Sequence, residues 1–149
     1  MFRKLKQQRR QRKRGVSVLE TALVLPLLAA LTFGIIEYGY FFYVHHSVQG
    51  AARQGARAGA VDGGTNTDVN AAIAQAMDNA SLKNINYTVK IHDGSGTVTA
   101  AESASAGSSV AVEVDINWQD ASLVKLGSFA YGAILPSKVH GSTVMRKEG

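Results

Sequence analysis

The chain has 149 residues, room for one modest domain, and a formal charge of +5 that is spread unevenly. Eight of its 16 Lys and Arg fall within residues 1–14 with no acid among them, so the remainder holds 8 basic and 11 acidic residues, a net of −3. An acidic remainder lacks the electrostatic footprint of a nucleic-acid binder, and the absence of cysteine excludes disulfides, thiolate nucleophiles and cysteine-ligated metals.

After the basic leader, residues 16–44 contain no Lys or Arg. About 20 apolar residues in a helix cross the hydrocarbon core of a bilayer, and this run is longer, with Glu20 and Glu37 as its only charges. Tyr38, Tyr40, Phe41, Phe42 and Tyr43 cluster at its far end, where an aromatic belt sits. Eight basic residues precede the span and only Arg53 and Arg57 follow closely. The positive-inside rule therefore predicts a cytoplasmic N-terminus and an extracytoplasmic C-terminal domain. A secretory signal peptide is the competing reading, but its apolar core is only about 7–15 residues.

Glu20 calls for a reason. A carboxylate near the centre of a membrane helix costs roughly 2.5–3.5 kcal/mol. At the start of a helix it favours the dipole, by tenths of a kcal/mol. Its surroundings are Arg14-Gly15-Val16-Ser17-Val18-Leu19-Glu20: a basic leader, a glycine, four residues, a glutamate and then the apolar helix. This resembles the class III leader of type IV pilins and pseudopilins. The resemblance implies that a prepilin peptidase cuts between Gly15 and Val16 on the cytoplasmic side, leaving Glu20 as the fifth residue of the mature chain. The freed Val16 ammonium and the Glu20 carboxylate of a neighbouring subunit are each costly alone in an apolar bundle and tolerable together. Glycine also resists helix formation at a bond that a peptidase takes extended. Thr21 departs from the motif, which often has Phe or Tyr there.

Further along, Leu25-Pro26 breaks the apolar run, Gly34 to Tyr38 gives a small residue, an apolar pair, a glutamate and an aromatic, and Ala51 to Arg57 reads Ala-Ala-Arg-Gln-Gly-Ala-Arg. With Val144-Met145-Arg146 near the end, these features resemble the TadE-like family of tight-adherence (Flp) pilus assembly proteins. The resemblance implies a pseudopilin or minor pilin that is not an enzyme and takes no cofactor. Its implied partners are the membrane, other pilin-like subunits, the tight-adherence assembly machinery and the prepilin peptidase, with no nucleic acid and no small-molecule substrate. It implies a place in the bacterial inner membrane, or in a surface pilus, with the C-terminal domain in the periplasm. A pseudopilin of a type II secretion system shares the leader, and an unprocessed membrane-anchored binding domain is the alternative from another class. Glu37 is either an acid just outside the hydrocarbon or a subunit contact with Arg53 or Arg57 of a neighbour. Gly50 and Gly55 are expected to permit close helix packing, and Gly59 to mark a fraying helix end.

Three segments follow: a leader over 1–15, a membrane helix with its extension over 16–60, and an outer domain over 61–149. In the outer domain Val69, Ala72, Ile73, Ala76 and Met77 recur at helical spacing, with Thr67 or Asp68 as the cap. Tyr87, Val89 and Ile91 alternate with polar residues, as a half-buried strand does. Gly94-Ser95-Gly96 reads as a turn, 97–102 as a returning strand and 103–109 as a flexible loop. Val110 to Trp118 alternates most clearly of all, 121–127 reads as a short helix and 138–146 as a last strand. The fold class is α+β: a long helix, a short helix and three or four antiparallel strands, which matches the pilin-like architecture by resemblance. His45 and His46 are adjacent and cannot face one site on a helix, while His92 and His140 are scattered, so no metal site is expected. No catalytic motif surrounds any serine.

Overall fold

The computed structural model describes residues 2–93, 96–97, 100–123 and 136–148, with side chains from Ser17 onward. One helix, α1, runs from Phe2 to Ala60. Two compact units divide the chain, Met1–Tyr38 and Gly39–Gly149.

In the first unit α1 is helical through the leader and through Gly15 and Val16. Lys, Arg and Gln are good helix formers, and one glycine costs only about 1 kcal/mol against them, so the expected break at Gly15 is absent. Leu23 is 77 % exposed, Val24 45 % and Leu25 64 %, and at about 100° per residue these three lie on different sides of the helix. A helix apolar all round belongs in a membrane or in a bundle. The stretch Ser17–Ala60 contains a window of mean hydropathy 2.1 that is long and apolar enough to cross a bilayer. At 1.5 Å per residue, residues 16–44 extend about 43 Å, beyond the roughly 30 Å of hydrocarbon. The hydroxyls of Thr21 and Thr32 donate to the carbonyls of Ser17 and Leu28, four residues back, at 3.0 and 2.8 Å. Those two polar groups are thereby satisfied inside the apolar stretch.

The second unit is built on the last turns of α1. Val44, Val48, Ala51, Ala52 and Ala56 are fully buried in its core. After Ala60 the chain turns into α2, Asn66–Asn79. Thr65, rather than Thr67 or Asp68, is the N-cap. Its hydroxyl accepts from the Asp68 backbone N–H, and Asp68 carries the reciprocal side of a capping box. A cap must precede the first turn, and the apolar period locates that turn only to within a residue or two. Val69, Ile73 and Met77 bury the inner face of α2, as the spacing predicts. The helix ends in a Schellman turn. Leu82 N–H bonds Met77 O at 2.9 Å, Ser81 N–H bonds Asp78 O at 2.8 Å, and Ser81 adopts φ 54°.

The sheet is an antiparallel meander of β1 (Tyr87–Asp93), β2 (Ser109–Asn117) and β3 (Lys138–Arg146), in that order. Val89 pairs with Val114, and Val114 with Gly141. Val110, Val112, Val114 and Ile116 all point to the core, and each contributes roughly 1.5–3 kcal/mol of burial. A slip of one residue would turn that whole set to solvent. Trp118 does not continue β2. It opens a one-turn helix, α3 (Trp118–Ala121), and is buried against Phe41 with ring centroids 5.1 Å apart. The expected aromatic belt is therefore divided: Tyr40 and Phe41 pack on the core, while Tyr38, Phe42 and Tyr43 are exposed.

The returning strand expected over 97–102 is replaced, where described, by a 3-10 turn at Ala101–Ser103. Ala101 is fully buried there, and Lys147 Nζ donates to its carbonyl at 2.6 Å. A short run Ala-Glu-Ser has no alternation to hold it in a sheet. Residues 94–95, 98–99 and 124–135 lie outside the described residues, and with them most of the 121–127 helix and part of the 94–96 turn.

Candidate assembly site on the first helix

Gly15 and Val16 lie within helical backbone. Glu20 lies one helical turn further on, about 6 Å along the axis, and is exposed. Four residues place positions 16 and 20 on one side of a helix. A neighbouring helix offset by about one turn would bring its own Val16 beside this Glu20. Among the described residues no salt bridge reaches Glu20, Arg53 or Arg57.

Glu37, which the sequence leaves as either an interfacial acid or a contact with a neighbour's arginine, is 2 % exposed in the single chain. Arg53 and Arg57 stand one turn apart on an exposed face of α1.

The small residues around these arginines divide by face. A Cβ on Gly55 would lie 2.7 Å from Ile73 Cγ1, and one on Gly59 would lie 2.9 Å from Val69 Cγ2. Both glycines let α2 approach α1, so Gly59 is a packing residue and not a frayed end. Gly50 meets nothing within 4 Å. It opens instead onto a groove of about 480 Å³ between α1 and α2, beside Gln54, Ala76 and Asn79.

Two tethers on α1 have no signature in the sequence. Gln49 Nε2 donates to Ser142 O at 2.7 Å and its Oε1 accepts from Ser142 N–H at 3.3 Å, an amide paired with the backbone of β3. Tyr43 donates its hydroxyl to Ala80 O at 2.7 Å, beyond the end of α2. His45 and His46 stack on Phe41 and Phe42 of the preceding turn, at 6.2 and 6.5 Å.

Residues 15–57 match a family model described as TadE-like protein. The match covers 43 of the 149 residues. The match begins at the leader glycine and closes on Arg57, the last residue of the Ala-Ala-Arg-Gln-Gly-Ala-Arg run. No curated protein and no solved structure matches the chain. The matched segment contains a helix long and apolar enough to cross a membrane, which fits a single-pass membrane protein. It contains Gly15, Val16, Glu20, Glu37, Arg53 and Arg57. The outer sheet lies beyond it.

Proposed function

We propose that this chain is a pseudopilin or minor pilin that takes part in assembling a tight-adherence (Flp) pilus. The observation that carries the reading is the TadE-like match over residues 15–57, on a helix exposed all round its apolar stretch. Residues 1–15 are the cytoplasmic leader, residues 16–60 the membrane helix and its extension, and residues 61–149 complete an extracytoplasmic domain. A prepilin peptidase removes the leader after Gly15, and a bond held in helix must first unwind locally there. Glu20 then pairs with the Val16 ammonium of an adjacent subunit. Pairing two charges that are each penalised alone favours one axial register between helices. Arg53 and Arg57 present two further charges to a neighbour outside the membrane.

The test is Glu20→Gln. The variant is expected to be cleaved, inserted and stable, but to build few or no pili and to adhere poorly. Glu20→Asp should be intermediate, because the carboxylate survives one methylene further back. A helix-dipole role alone would leave assembly normal, so normal filaments from Glu20→Gln cells refute the pairing.

A further inference from the structure

The solvent-facing side of the sheet carries Lys90 and His92 of β1, Glu113 and Asp115 of β2 and His140 of β3. His92 stands between two groups that only accept. Its Nδ1 lies 3.2 Å from the carbonyl of Gly96, and its Nε2 lies 3.4 Å from Glu113 Oε2. The Nε2 atom is buried and has no hydrogen-bond partner. A neutral imidazole has one N–H. Either tautomer therefore leaves a bare nitrogen lone pair against an acceptor, and only the imidazolium gives each nitrogen a proton to offer.

The neighbouring row repeats the chemistry: His140 Nδ1 lies 2.6 Å from Asp115 Oδ1, and Lys90 Nζ lies 3.8 Å from Asp115 Oδ2. The other charged groups nearby are Asp93, whose Oδ1 accepts from Thr97 N–H, and Glu102, whose carboxylate accepts from Asn66 N–H. Neither of those hydrogen bonds draws on the His92 ring.

We propose that His92 is a proton-operated latch across the sheet, fastening β1 to β2 through Glu113 when its ring is doubly protonated. This goes beyond the pilus reading and does not depend on it. The sign follows from proton uptake. A folded state that offers the proton two acceptors gains stability as pH falls through the range where imidazole charges, roughly pH 5–8. It loses that gain as pH rises through the same range.

The test uses the full-length chain in detergent micelles, with Trp118, its one tryptophan, reporting thermal unfolding at pH 5.5 and 8.0. All chains carry His140→Gln, which removes the neighbouring pair. Acidification should raise Tm by about 4 °C more with Glu113 intact than in Glu113→Gln. His92→Gln in place of Glu113→Gln should lose the same increment. An equal pH response with and without Glu113 overturns the latch, and so does an undiminished response in His92→Gln, which decides by itself if Glu113→Gln fails to fold.

Discussion

Thr65 and Asp68 hold the start of α2 with three hydrogen bonds. Thr65 N–H and hydroxyl both reach Asp68 Oδ2, at 3.0 and 2.7 Å, and Asp68 N–H reaches the Thr65 hydroxyl at 3.3 Å. The two bonds donated by Thr65, hydroxyl first, hold the Asp68 carboxyl below the usual carboxylate range. A group lowered in the folded state stabilises above its ordinary range, and the contribution is lost as pH falls through the lowered value. Thr65→Ala should cost about 1 kcal/mol and flatten the acid limb of the stability profile, as read by thermal unfolding between pH 2 and 5. Gly141 is the other residue at which one atom decides. A Cβ there would sit 2.9 Å from Val48 C, Val48 O and Gln49 N, all backbone atoms of α1. Gly141→Ala should destabilise by about 1–3 kcal/mol, measurable by denaturant unfolding, because helix and strand must separate to admit it.

At the scale of elements, the last turns of α1 belong to the outer core as fully as the strands do. A chain starting at Asp62 lacks Val44, Val48, Ala51, Ala52 and Ala56, all fully buried. It also lacks Gln49, which holds β3. A fragment of residues 39–149 should unfold cooperatively by circular dichroism, and one of residues 62–149 should not. The sequence placed the boundary near residue 61 because composition changes there, from helix formers to the Asp62-Gly63-Gly64 loop. Burial follows a different line, since small residues on α1 read as helix ends or membrane contacts until their partners are known. The strands were legible because alternation is a local property: 138–146 is β3 to the residue and the burial of β2 follows its pattern. Trp118 escaped, since one more apolar residue in phase looks like strand whether or not the backbone turns. The cap at Thr65 and the tethers at Gln49 and Tyr43 depend on where the backbone arrives, which periodicity does not encode. Glu37 was legible as unusual, but its burial was not.

For the whole molecule, a strongly basic leader and an acidic remainder make one asymmetric chain, and an apolar helix of about 43 Å begins where the leader ends. Under the proposed function, that asymmetry orients the helix with its N-terminus in the cytoplasm and brings Gly15 to the membrane edge where a peptidase can reach it. Removing residues 1–15 would take away eight positive charges, a formal change from +5 to −3. What remains would be a chain whose first turn holds a new ammonium at Val16 and one carboxylate at Glu20. Under that proposal processing and pairing are linked, because without the cut Glu20 would have no terminal ammonium to meet. The most direct measurement is the intact mass of the protein extracted from membranes of cells with an active prepilin peptidase. A chain beginning at Val16 is expected, and a chain that retains Met1 to Gly15 would contradict the assignment as a processed pilin-like subunit.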